Sequence, residues 1–412
     1  MRNLFIVLLA VCIPSIARAA TSYTLTISAG ESDRISTPVS FTLPQALPTS
    51  EPWDVVAENG AKMRTFISRR NVSFILDKLS ANQTATFKLQ QADAARMREL
   101  MKPDFSQLKL DRRQNVLKIS AGDKPILTYQ GDPSTPPDGI EAVFTRGGYI
   151  HPVFTPSGKL LTDDYAPDHK HHHGIWSPWT KTEFEGRHPD FWNMGTKTGR
   201  VDFVKLDDTF SSPVCAGFRT HHRMIDMTAK PEKPAINETW DVTVYAPVSA
   251  PKPLYIFDLL IHQECAGESS LLLPKYHYGG LGFRGNRQWA KTNCYFLTSE
   301  GKDRSNGNET KGRWCYVSGK TDGDDRRGYL RSPQQFPLAP ADAPESRPAL
   351  LLLRPQPGRR LGNFPHQTLL RPLPLHRHGR RPRQRPHRAP LHRLGQSAKG
   401  GSKIESNPKL DH

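Results

Sequence analysis

Apolar and polar residues alternate along much of this chain with the two-residue period of β-strands. Tyr23-Thr24-Leu25-Thr26-Ile27-Ser28 and Pro38 to Pro44 form two such runs, with a turn at Gly30-Glu31-Ser32 between them. Val72 to Leu76 and Thr84 to Leu89 continue the pattern. Ala92 to Met101 is the best helix candidate, and Pro103 would end it. Residues 20–104 are therefore expected to form a small N-terminal β-sandwich with a linker helix.

The strand signal returns at Leu108. Asn115 to Ser120 and Pro125 to Tyr129 flank a Gly122-Asp123 turn and predict a hairpin. Further short runs lie at Ile140 to Phe154, Gly199 to Val204, Phe218 to Met224, Ile236 to Ala246, Leu254 to His262 and Tyr276 to Arg284. Short strands at this spacing, with few helix-period windows, predict a large antiparallel β-sandwich over residues 105–345 and an all-β chain. Abundant Pro and Gly agree with a loop-rich, strand-built protein.

Charge changes the picture only at the C-terminal end. Of the net +17, +13 falls within Ser346 to His412, where twelve Arg and three Lys face only Glu405 and Asp411. The rest of the chain is nearly balanced, so nucleic acid is not an expected partner despite the overall sign. Arg354 to Arg393 has no acidic residue and shows no strand or helix period. Residues 346–412 are read either as a disordered basic tail or as the product of a shifted reading frame, because GC-rich coding sequence out of frame gives such Arg/Pro-rich text.

Residues 1–19 have the layout of a secretory signal peptide: Arg2, an apolar run from Leu4 to Ile13, then Ala17-Arg18-Ala19. That run is too short to span a bilayer as a helix, and no later stretch is long and apolar enough. A periplasmic or secreted protein without membrane insertion is expected. Cys215, Cys265, Cys294 and Cys315 remain after cleavage, an even number in an oxidising compartment, and at least one structural disulfide is expected among them.

The chemistry concentrates in Asp168-His169-Lys170-His171-His172-His173-Gly174-Ile175-Trp176, followed by Trp179, Glu183, Phe184, Glu185 and Asp190-Phe191-Trp192-Asn193. On a strand, His169, His171 and His173 would share one face at roughly 6.5 Å spacing. Imidazole is the commonest metal ligand, so these three are the candidate ligands for a divalent ion such as zinc or calcium. His151, His221, His222, His262, His277 and Glu183 are available to complete such a site. Metal-free acid–base work is equally open, with Asp168, Glu183, Glu185 and Asp190 as partner carboxylates. So is a purely structural cluster. Trp176, Trp179 and Trp192 offer flat faces for stacking on a sugar, or they pack the interior. Lys275 to Arg284 carries Gly279-Gly280-Leu281-Gly282 but lacks a phosphate-loop frame, so its glycines fit a bulged strand or close approach to a ligand. His277 and Arg284 then form the opposite wall.

Arg146-Gly147-Gly148-Tyr149-Ile150-His151-Pro152, the Asp168 to Trp176 cluster, Asp190-Phe191-Trp192 and Tyr278 to Arg284 together resemble the DUF6807 family over about residues 20–345. Asp168, His169, His171 and His172 match the family's D-H-x-H-H pattern, whereas His173 stands at a variable position. The family is often labelled a methane oxygenase, which conflicts with the lack of spanning helices after the signal. It is more similar to galactose-mutarotase-like supersandwich proteins, and this implies a sugar ligand by analogy of fold.

The chain is thus expected to be an exported carbohydrate-processing protein acting on a glycoside or sugar derivative, in the manner of a hydrolase, lyase or epimerase. His169, His171, His172, Glu183, His277 and Arg284 are the candidate catalytic residues. His151, Trp176, Trp179, Asp190 and Trp192 are the candidate substrate-binding residues. A non-catalytic glycan-binding module and a metal-binding protein without turnover are the competing classes.

Overall fold

Each strand that the alternating pattern predicts is present, and every strand pair is antiparallel. The structure, a computed structural model, describes residues 22–47, 53–68, 71–92, 108–132, 135–248, 253–276, 278–290 and 292–321; elsewhere it gives only the strand backbones Ile6–Leu9, Asp324–Pro337, Leu350–Leu353 and Arg360–Leu361. Helical structure among the described residues is limited to two 3-10 turns, Ala142–Phe144 and Met194–Thr196. No helix of the described residues is long and apolar enough to cross a membrane. The candidate helix at Ala92 to Met101 lies outside the described residues beyond Ala92.

In the N-terminal region Tyr23–Ser28 alternates buried and half-buried positions, as a strand with one core face must. Its sheet and a second one, ordered Arg34–Thr42, Asn71–Leu79, Thr65–Ser68, enclose a core of Leu25, Ile27, Val39, Val55, Val72, Phe74, Phe87 and Leu89. Trp53–Ala57 belongs to the first sheet and carried no clear alternation. In this uncleaved chain Ile6–Leu9, inside the expected signal peptide, pairs with Tyr23–Ser28.

The larger region places a seven-stranded sheet against a four-stranded one. The first runs Leu350–Leu353, Leu281–Arg284, Ile175–Trp176, Tyr149–Val153, Lys124–Gln130, Val116–Ala121, Leu108–Arg113. The second contains Gly199–Ser211, Cys215–Asp226, Lys233–Tyr245 and Phe257–Cys265 in order. Leu117, Leu127, Ile150, Ile175 and Phe283 meet Phe218, Trp240, Val242, Leu259 and Ile261 in one core. Apolar area removed from water on both inner faces is the main force holding the layers together.

The register of the seven-stranded sheet positions the site. Ile150 pairs with Ile175, and Ile175 with Phe283, so this row faces the core. Tyr149, Trp176, Gly282 and Arg284 alternate with it and face the other side.

The two cores belong to one compact unit, residues 1–376, and Phe66 stacks on Phe210 between them with ring centroids 5.1 Å apart. The second unit, residues 377–412, lies outside the described residues. Two short strands lie beyond residue 345, and the expected disulfide needs correction. Leu350–Leu353 pairs with Leu281–Arg284, and Arg360–Leu361 with Leu271–Leu272, so strands continue past residue 345. An unbroken Leu run has no alternation to betray it as a strand. No disulfide links Cys215, Cys265, Cys294 and Cys315 to one another; three of them are buried, and all four serve as packing residues.

Candidate functional site

The base of the site is aromatic and closed. Trp176 lies across the neighbouring strand at Gly282, where a Cβ would stand 2.9 Å from the indole. Trp192 packs on Trp176 with centroids 5.0 Å apart, and Tyr278 packs on Trp192 at 5.1 Å. Asp190 sets the turn that delivers Trp192. Its Oδ1 accepts the backbone N–H groups of Trp192 and Asn193, both at 2.8 Å, and its Oδ2 accepts Asn193 Nδ2. The Asn193 amide also reaches the Tyr278 hydroxyl at 3.3 Å.

On this base sits the histidine hairpin. His169–His173 is a strand paired with Asp164–Ala166, but its partner bulges at Tyr165, whose φ is +46°. Strict alternation of faces is lost as a result. His172 lies stacked on His169, planes 7° apart and centroids 4.5 Å apart, and stands edge-on to His171 at 4.7 Å. It also touches Trp176 and Trp192. Arg284 Nη1 donates to His172 Nδ1 at 3.1 Å, and Arg284 Nη2 to Asp168 Oδ1 at 2.5 Å. Asp168 Oδ2 lies 3.1 Å from His169 Nδ1, off line for a hydrogen bond.

Burial and charge determine the protonation states here. His172 is 2% exposed, and burial, then His171 and the Arg284 guanidinium, hold it well below the ordinary imidazole value. His171 reaches solvent in part, yet burial together with His169, His173 and Arg284 lowers it to about 4 against the pull of Asp168. Burial pushes the Asp168 carboxyl up, and the Arg284 charge with His169 overrides it, leaving it below the usual carboxylate value. The layer facing solvent therefore combines a neutral imidazole, His171, with an ionised carboxylate.

The far end of the hairpin is a separate cluster. His173 is fully buried, and its Nδ1 lies 2.7 Å from Asp164 Oδ1. Asp164 Oδ2 accepts the Tyr149 hydroxyl at 2.9 Å, and the His173 ring is held between Tyr149 and Tyr165. His151, half-buried, bonds through Nδ1 to the Thr162 hydroxyl at 2.9 Å.

The structure therefore brings together Asp168, His169, His171, His172 and Arg284. It separates Glu183, which pairs with Leu272 in another sheet and makes no hydrogen bond or ion pair with the histidines among the described residues. Glu185 is tied to Arg187 and Lys233 at the surface. His277 lies outside the described residues. The proposed metal set His169, His171 and His173 does not converge, since the bulge turns His173 toward Asp164. No group of three or more metal-ligating side chains forms among the described residues. The Arg284 cation, donating into His172, is a further obstacle to a bound cation. Trp176, Trp179 and Trp192 are all buried, Trp176 fully; Trp176 and Trp192 pack against His172, and none of the three offers a broad face to solvent. Trp179 joins Phe184, Phe191, Val201 and Met224 in a neighbouring core.

Sequence reasoning missed Asp164, which has no motif of its own, and the role of Tyr149, although Tyr149 lies within Arg146 to Pro152. It also missed a buried polar chain through His222 and Glu238. Only the family pattern singled out His172, because the alternation argument assigned it to the wrong face.

No curated protein matches the chain. The sequence profile of one family does, beginning inside the larger β region and running past the compositional change at residue 345: over residues 116–376 the chain belongs to the DUF6807 family, a family of unknown function.

Proposed function

We propose that this is an exported carbohydrate-processing protein whose acid–base chemistry is carried by His171 and His169 over the Asp168–Arg284 pair. The observation that carries the reading is the state of His171, partly open to solvent and neutral down to a pH of about 4. Such an imidazole keeps a free lone pair at neutral pH and can accept a proton, with less driving force than an imidazole whose value lies near the working pH. His169, with a carboxylate 3.1 Å from its Nδ1, is the partner that donates or steadies a proton. Arg284 and His172 lie beneath and fix the carboxylate and the ring stack. The resemblance to sugar-acting sandwich proteins supports a sugar substrate by analogy. The pairing of the Arg284 and Asp168 charges favours a neutral, hydroxyl-rich ligand.

The glycan-binding alternative depends on aromatic faces reached by solvent, and the burial of Trp176 and Trp192 argues against it. The metal-binding alternative meets no converging ligand set among the described residues.

The test is turnover of a panel of oligosaccharides, aryl glycosides and oxidised sugar derivatives by the full chain and by His171→Gln. Turnover by the unmodified protein that falls by at least about 10²-fold in the variant supports the proposal. Equal turnover by both proteins, or none across the panel, overturns it.

A further inference from the structure

The site rests on two segments, 146–149 and 176–180; a buried chain of hydrogen bonds ties the second to the four-stranded sheet and places a ring of that chain, His222, against the first. The Tyr129 hydroxyl donates to His222 Nε2 at 2.5 Å, and His222 Nδ1 donates to Glu238 Oε1 at 3.1 Å. From the other side, Gln263 Nε2 donates to Glu238 Oε2 at 2.5 Å and to Ser177 Oγ at 3.3 Å. Trp179 Nε1 donates to Gln263 Oε1 at 2.9 Å. Tyr129, His222 and Glu238 are each at most 1% exposed.

Apart from the Gln263 donation to Ser177 Oγ, every donor in the chain points toward the Glu238 carboxylate. A carboxylate only accepts, an indole N–H only donates, and the Gln263 amide must turn its oxygen to Trp179 once its nitrogen serves Glu238. The neutral His222 is fixed in the same way, with Nδ1 protonated and Nε2 accepting. The first segment is held by contact. Gly148 has φ +71° and lies flat on the His222 ring, where a Cβ would fall 2.3 Å from Nε2. The buried Arg146 guanidinium, lowered to about 10 by burial, is partly compensated by Glu238.

We infer that Glu238 is the positioning residue of the proposed site. It orients His222 under Gly147-Gly148-Tyr149 and Gln263 under Ser177-Pro178-Trp179, and so fixes Tyr149 and Trp176 beneath the histidine hairpin. This rests on the reading of His171 and His169 as the working groups.

The test exchanges the charge along the chain. In Glu238→Gln the new amide must turn its nitrogen either to Gln263, which on turning over leaves Trp179 Nε1 without an acceptor, or to His222, whose ring must then take the other tautomer and reverse its bond with Tyr129. In the double variant Glu238→Gln, Gln263→Glu every hydrogen bond can form again, with the carboxylate moved by one residue. NMR of the full chain with labelled Trp and His supplies a readout free of turnover: hydrogen-exchange protection of the Trp179 indole N–H and the His171 ring signals. The single variant is expected to lose the Trp179 protection or to change the His222 tautomer, to shift the His171 signals, and to lower turnover about tenfold to 10²-fold, as a small misplacement of catalytic groups does. The double variant is expected to regain all three.

Unchanged Trp179 protection, His222 tautomer and His171 signals in Glu238→Gln overturn the inference. So does a double variant no better than the single one. If Glu238→Gln does not fold, the double variant decides: a folded protein with a protected Trp179 N–H supports the inference, and an unfolded one overturns it. Signals lost and regained in a protein that turns over no substrate would retain the positioning role and remove the catalytic one.

Discussion

Arg284 Nη1 donates to His172 Nδ1 at 3.1 Å, although the two residues lie 112 positions apart. The bond fixes the His172 tautomer, since a guanidinium cannot accept and the ring nitrogen must therefore be bare. The other arm of the same guanidinium neutralises Asp168. Arg284→Met should cost about 2 to 3 kcal/mol, below the usual figure for breaking a buried pair, because the Asp168 side chain is 22% exposed and rehydrates. Urea unfolding measures this, and a loss below about 0.5 kcal/mol would show that the pair contributes no more than a surface one.

His171 should separate activity from stability. His171→Gln is expected to lower kcat by about 10²-fold to 10⁴-fold, while the urea midpoint stays nearly unchanged because the ring is only partly buried. If the proposed chemistry holds, kcat/KM of the unmodified protein should fall on acidification only near the His171 value of about 4. An acid limb near 6.5 would assign the base to another group.

Acid should unfold the protein earlier than its carboxylates alone would require. His151, His171, His172, His173 and His222 all lie below the ordinary value of 6.5, chiefly through burial. The unfolded chain therefore binds more protons than the folded one, and stability falls as pH drops through 6.5. Each imidazole held fully neutral contributes about 1.4 kcal/mol per pH unit in that window. A urea midpoint that is flat or rising from pH 7 to pH 5 would contradict the buried neutral histidines.

Two glycines with similar backbones should differ sharply. Gly148 has φ +71° with the His222 ring against it, and Gly158 has φ +78° with nothing within 4 Å. Gly158→Ala carries only left-handed strain, about 1 kcal/mol. Gly148→Ala adds a clash with a buried ring and should cost about 3 kcal/mol or more. Equal losses in thermal unfolding would place His222 elsewhere.

Reducing agent should leave the unfolding temperature unchanged, since no disulfide links Cys215, Cys265, Cys294 and Cys315 to one another. A drop of several degrees on reduction would restore the disulfide expected from cysteine count and compartment.

The alternating runs of Tyr23–Ser28, Val116–Ala121 and Lys233–Tyr245 were legible because one buried face imposes a period of two on the residues themselves. The histidine cluster was conspicuous for the same local reason, as a density of polar and aromatic residues that a core strand would not carry. Sequence therefore determined an all-β antiparallel architecture, the stretch of the candidate site, and, through the order of its motifs, the family. Tertiary structure alone decided which histidines meet. The bulge at Tyr165 turns His173 to Asp164 and brings His172 under His169, and neither event leaves a mark in the spacing of His169 to His173. It also decided that Glu183 stands apart, that three tryptophans face inward, and that Glu238 joins His222 and Gln263 from the two flanking strands. Those outcomes depend on register and on contacts between residues far apart in the chain, and a local pattern carries no information about either.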